Sequence, residues 1–127
     1  LAILCPETEF LLVDSIAKKI KVVQDVAKRL QLKNIHSVQS RAEDIREQFH
    51  FVITRAVSDL PQIYLWIKNK IQKKSPGKIH NGLMALKGGD LDLELSQFKS
   101  NCQVVELSDY FEEAFFQTKK IVYLKAQ

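Results

Sequence analysis

Phe10-Leu11-Leu12-Val13-Asp14-Ser15 sets four apolar residues in a row before an acid and a hydroxyl. An unbroken apolar run this short predicts a strand buried on both faces, as in a parallel sheet with helices above and below it. Asp14 then falls at the carboxyl end of that strand, where open α/β sheets bind ligands. In nucleotide-type sites an acid there accepts hydrogen bonds from ribose hydroxyls. The same Asp also fits a plainer role, capping the helix that follows. On this stretch alone both roles stay open.

Working outward, Ile16, Ile20, Val23, Ala27 and Leu30 recur in steps of four and three. That stripe predicts an amphipathic helix with Lys18, Lys19, Lys21, Gln24, Lys28 and Arg29 mostly on its wet side. Lys33-Asn34 marks its expected end. Residues 35–39 alternate as a short strand, Arg41-Ala42-Glu43-Asp44-Ile45 forms a loop or single turn, and residues 49–54 make the next strand, running into Arg55-Ala56. Asp59 reads as an N-cap with Pro61 in the first turn of a helix that carries Ile63, Leu65, Trp66 and Ile71. Ser75-Pro76-Gly77 and Asn81-Gly82 break the chain before the apolar strand Leu83-Met84-Ala85-Leu86, which Lys87-Gly88-Gly89 closes. Residues 90–98 then predict a helix, 103–107 a strand and 120–124 a last strand. The order β-α-β-turn-β-α-β-α-β-β predicts a doubly wound α/β sandwich, mostly parallel, with an antiparallel last strand. No repeat, low-complexity tract or linker interrupts it, so 1–127 reads as a single domain.

The composition, 46% hydrophobic and 27% charged over 127 residues, is that of a soluble globular protein able to bury a core. A net charge of +4 is compatible with a polyanionic partner without requiring one. Cys5 and Cys102 lack CxxC spacing and read as reduced thiols of a cytoplasmic protein. His36, His50 and His80 stand apart from each other and from the cysteines, so no metal site is expected. No apolar run reaches membrane-spanning length, and Leu1-Ala2-Ile3-Leu4 lacks the basic flank of a signal peptide. That opening resembles the tail of a helix begun elsewhere, so the chain is expected to be the later part of a longer protein.

Candidate chemistry sits at strand ends. No Gly-x-Ser-x-Gly elbow, P-loop, His-Glu-x-x-His or paired-carboxylate motif is present, which leaves hydrolase and kinase readings without support. Asp14, the Ala42-Glu43 turn and Arg55 each follow a predicted strand, and successive carboxyl ends of a doubly wound sheet line a common crevice. An acid for a ribose, a turn offering backbone groups to a base edge, and a cation make a nucleoside site. Each residue also has a plain alternative: Glu43 as a helix cap, Arg55 as an ion-pair partner of Asp14 or Glu43. Charge is segregated too. Residues 60–89 carry six lysines and no acid, whereas 90–113 carry seven acids and only Lys99 as a base. Lys68 to Lys78 read best as a solvated helix end complementing its dipole, rather than a grip on nucleic acid. Lys87 differs, because it sits at a strand end expected to face the same crevice as Arg55.

Taken together, several blocks resemble the ribosomal RNA small subunit methyltransferase G family, also called glucose-inhibited division protein B. They are Val13-Asp14-Ser15 with Lys18-Lys19, Val38-Gln39-Ser40-Arg41-Ala42-Glu43, Ile53-Thr54-Arg55-Ala56-Val57 and Leu86-Lys87-Gly88. The opening Leu-Ala-Ile-Leu-x-Pro-Glu resembles the helix after that family's glycine-rich loop. The resemblance implies a Rossmann-like class I methyltransferase sandwich that uses S-adenosylmethionine to modify a guanine N7 of small-subunit ribosomal RNA. It also implies roles: Asp14 for the cofactor ribose, Ala42 and Glu43 bordering the adenine, Arg55 on the cofactor side near the transfer site, and Lys87 toward the RNA. Guanine N7 presents a lone pair and no proton, so no catalytic acid or base is expected; alignment for in-line transfer is the main task. One departure stands out. The family's glycine-rich loop, the first strand before it and an N-terminal helical region have no counterpart here. Strands flanking that central strand are expected to lose a ladder partner, and the 127-residue chain alone is expected to bind cofactor poorly. Two alternatives remain at this level: a related class I methyltransferase with another substrate, and a non-catalytic RNA- or ribosome-binding module.

Overall fold

A computed structural model describes residues 1–55, 57–98 and 100–126. Ala56 of the Arg-Ala block and Lys99 of the acidic stretch therefore lie outside the described residues. The chain divides into two compact units, Leu1–Ile45 and Arg46–Gln127.

In the first unit, β1 (Phe10–Asp14) leads into α1 (Ala17–Arg29) and then β2 (Ile35–Gln39). The two strands pair in parallel, from Phe10 opposite Ile35 to Asp14 opposite Gln39. A helix between them is what parallel pairing requires, since a tight hairpin cannot reverse the chain twice. The predicted stripe supplies the buried Ile20 and the half-buried Val23 and Ala27, while Ile16 and Leu30 at its ends are exposed. α1 ends before Lys33-Asn34, in a Schellman arrangement: Leu32 N–H donates to Ala27 O at 3.0 Å and Gln31 N–H to Lys28 O at 3.1 Å. Gln31 takes the left-handed conformation this needs, at φ 53°. Asn34 is buried and its amide nitrogen lies 2.9–3.1 Å from the carbonyls of Ala2, Cys5 and Thr8. The first residues form one hydrogen-bonded turn, Cys5 N–H to Leu1 O at 2.9 Å, and Asn34 holds it against the strand pair.

The second unit is a four-stranded sheet in the order β3 (Phe51–Arg55), β4 (Gly82–Gly88), β6 (Lys119–Lys125), β5 (Cys102–Glu106). β3 and β4 are parallel, and β6, the last strand, runs antiparallel to both β4 and β5. α2 (Leu60–Ile67) and the short α3 (Asp92–Leu95) complete it. Leu60, Ile63 and Ile67, at i, i+3 and i+7, join Ile71, Leu83, Ala85, Leu91, Val122 and Leu124 in one apolar cluster. Each fully buried Leu of that cluster is worth about 2 kcal/mol in transferred surface. Gly82 is required at its place, because a Cβ there would lie 2.2 Å from the Leu124 carbonyl oxygen across the ladder.

Three sequence expectations are corrected. α2 stops at Ile67, and Ile71 instead bridges Phe49 in parallel beyond the helix. Leu65 is 58% exposed, the inward positions being Leu60, Ile63 and Ile67. The continuous apolar run of β1 is not buried on both faces: its residues are half-buried and Val13 is exposed. The reason is sparse cover: in the first unit α1 buries only Ile20, so little packs over the faces of β1. Among the described residues β1 pairs only with β2, and β3 only with β4, so each has one edge without a ladder partner. Residues 107–118, which show no sequence period, form two 3₁₀ turns, Leu107–Asp109 and Ala114–Thr118.

Candidate functional site

The end of β1 carries the acid predicted from the sequence. Asp14 Oδ1 accepts the Ile16 N–H at 2.8 Å, and Oδ2 faces Lys19 Nζ at 3.3 Å. The Ile16 N–H, with help from Lys19, holds the carboxyl below its ordinary value despite opposing desolvation. The bond from Ile16 lies just ahead of α1, whose N-cap residue is Ile16 without a side-chain cap, so Asp14 orients the approach to the helix and does not fill the capping role that the sequence left open. Its side chain remains 32% exposed, and a carboxylate has about four lone-pair directions, so acceptor capacity is left for a ligand.

The parallel register brings the second predicted segment to this acid. Asp14 is opposite Gln39, and the Ser40 N–H donates to Asp14 O at 3.1 Å. Gln39 Nε2 reaches Ser15 O at 3.3 Å. Directly after comes the 3₁₀ turn Ala42–Asp44, with Arg41 Nη1 3.6 Å from Glu43 Oε1. Asp14, Ala42 and Glu43 are therefore gathered at one end of the first unit, an exposed carboxylate beside a turn of backbone. That arrangement suits a nucleoside: hydroxyl donors for the acid, and a base edge for the turn.

Arg55 and Lys87 belong to the second unit. Arg55 ends β3, is exposed, and among the described residues makes no ion pair. Lys87 is nearly buried at the end of β4, with Nζ 2.8 Å from Glu94 Oε2 and 2.9 Å from Ser58 O. Sequence reasoning missed Glu94 as a partner; the signal was slight, an acid seven positions after the lysine across the Gly88-Gly89 turn. Lys19, assigned to the wet face of α1, was missed as a partner of Asp14. Among the described residues no group of three or more His, Cys, Asp or Glu gathers to hold a metal, and no helix is long and apolar enough to cross a membrane.

This α/β architecture is that of a class I methyltransferase. It is similar to a solved rRNA methylase from Streptococcus thermophilus, with a TM-score of 0.62 at 8% identity over 94% of this chain and 74% of that one. The family model described as rRNA small subunit methyltransferase G matches residues 1–122, and the chain belongs to that family. Proteins named ribosomal RNA small subunit methyltransferase G are similar over nearly its whole length. The one from Flavobacterium johnsoniae is 51% identical, covering 98% of this chain and 59% of that protein. The one from Cytophaga hutchinsonii is 42% identical, covering 99% of this chain and 61% of that protein. The chain thus spans about three-fifths of the length of the curated relatives it matches.

Proposed function

We propose that the protein carrying this chain is an S-adenosylmethionine-dependent methyltransferase acting on a guanine N7 of small-subunit ribosomal RNA. Family membership supports the reaction, and the observation that carries the site is the Asp14 carboxylate beside the Ser40-to-Glu43 backbone. The family model runs through both units, which supports reading 1–127 as one methyltransferase domain.

The residues present fit such a cofactor. Asp14 retains lone pairs for two ribose hydroxyls, already oriented by the Ile16 N–H and Lys19. Ala42 and Glu43 border the adenine, the turn supplying backbone groups to its edge. When bound, S-adenosylmethionine supplies a methyl group activated by its sulfonium. The family resemblance assigns Arg55, an exposed guanidinium at the end of β3, to the cofactor side. No side chain needs to remove a proton, because N7 of guanine carries none. The protein's contribution is orientation, which can supply several powers of ten in rate by holding the reactants in line.

The test uses the complete protein, small-subunit RNA and S-adenosylmethionine carrying a labelled methyl group. The expected product is 7-methylguanosine, identified by nucleoside mass spectrometry. Calorimetry on Asp14→Ala should show cofactor affinity reduced at least about tenfold, the loss of a charge-assisted hydrogen bond. Label on another atom or another RNA points to a related methyltransferase. An absence of cofactor binding by the wild-type protein points to a non-catalytic RNA module.

A further inference from the structure

Lys87, the lysine whose resemblance-based role is an RNA contact, is 12% exposed and already has two acceptors. Its Nζ lies 2.8 Å from Glu94 Oε2 and 2.9 Å from the Ser58 carbonyl oxygen. The same Glu94 oxygen accepts the Leu60 N–H at 2.8 Å. Leu60 is the first residue of α2, so that N–H has no partner within the helix. The remaining donors of the turn are also accounted for: Gln62 N–H goes to Asp59 Oδ1 at 2.9 Å, Ile63 N–H to Asp59 O at 3.1 Å, and Pro61 has none. One ammonium and one carboxylate oxygen thereby tie the end of β4 and α3 to both sides of Asp59. Ser58 is three residues beyond Arg55, and Leu60 five.

We propose that Lys87 and Glu94 are a pair of positioning residues. Together they fix the backbone at Ser58 and Leu60, on either side of the Asp59 N-cap and a few residues past Arg55, rather than Lys87 gripping RNA phosphate. Three features carry this. The ammonium is nearly buried and its acceptors are at close hydrogen-bond distance. To meet a phosphate it would have to release both acceptors. Glu94, left behind, would present a bare negative charge beside an incoming polyanion. Charge-assisted hydrogen bonds to backbone groups are among the stronger, more directional contacts a fold makes, and here they act on Ser58 and Leu60, three and five residues past Arg55. The inference rests on the methyltransferase reading for its effect on rate, but not for the contacts themselves.

The experiment compares Lys87→Met, Glu94→Gln and the double variant in the complete protein. It measures kcat, KM for small-subunit RNA, RNA affinity as a function of salt, and hydrogen exchange of the Leu60 amide. Positioning predicts that each single variant and the double lower kcat by a similar factor, about tenfold or more. RNA affinity and its salt dependence stay unchanged, and the Leu60 amide exchanges faster in Lys87→Met. Lys87→Arg, which keeps donors for both acceptors, recovers part of kcat. The proposal is overturned if Lys87→Met weakens RNA binding and lowers the salt slope by about one phosphate contact. It is equally overturned if Glu94→Gln leaves kcat intact. Glu94→Gln keeps an oxygen for the Leu60 N–H, so its kcat decides the matter should Lys87→Met fail to fold. If the wild-type protein transfers no methyl group, the functional reading fails instead. Leu60 exchange then still judges the pair, and unchanged protection in Lys87→Met refutes it.

Discussion

The two oxygens of Asp14 are divided between the Ile16 N–H and Lys19, and both contacts favour the ionised carboxylate. A carboxyl with a lowered folded-state pKa contributes stability that is complete above its unfolded value, near pH 4, and disappears as pH falls through the lowered value. Asp14→Asn should therefore lose stability relative to wild type at pH 7, and the difference should shrink once the pH is taken below the ordinary carboxylate range. Urea unfolding midpoints at pH 7 and below that range check this. Arg55 behaves oppositely, being exposed and, among the described residues, without an ion-pair partner. Arg55→Ala should change stability by less than about 0.5 kcal/mol, yet reduce methyl transfer in the complete protein by about 100-fold. Thermal unfolding and a filter-binding methylation assay separate the two effects. At this scale the sequence disclosed strand-end side chains well, because apolar runs mark where strands stop. It did not disclose what those side chains touch: the Lys87–Glu94 pair crosses a glycine turn with no periodicity to announce it.

Among the elements, β1, α1, β2, β3 and β4 lie close to where their hydrophobic patterns put them. The ends of helices are where reading by pattern falls short. Ile63-Tyr64-Leu65-Trp66-Ile67 is apolar throughout, so spacing cannot say which side faces inward or that Ile71 lies outside the helix. α1 stops early for a local reason, since the Schellman bonds of Gln31 and Leu32 satisfy carbonyls that another turn would have used. Gln31 adopts a left-handed backbone at φ 53°, a conformation that costs a side-chain-bearing residue about 1 kcal/mol. Gln31→Gly should raise stability by about 0.5–1 kcal/mol, measurable as a higher urea midpoint at constant slope. A glycine that destabilised the chain would show that the Gln31 side chain contributes more than its backbone costs.

Across the molecule, apolar burial is unevenly shared. Nine residues form the apolar cluster of the second unit, while the buried apolar residues of the first are Ala2, Ile20 and Ile45. Local opening follows buried contact, so in the 127-residue chain the amides of β1 and β2 should exchange faster than those of β4 and β6. Hydrogen exchange followed by mass spectrometry reads this directly, and equal protection would contradict it. The open sides of β1 and β3 carry a further consequence for handling the protein. Val13 is 36% and Ile53 44% exposed, on strands whose outer N–H and C=O rows have no ladder partner among the described residues. Unblunted apolar rims of this kind are templates for edge-to-edge stacking between molecules. Concentrated solutions of the 127-residue chain should consequently self-associate, and a lysine introduced at position 53 should keep them clear.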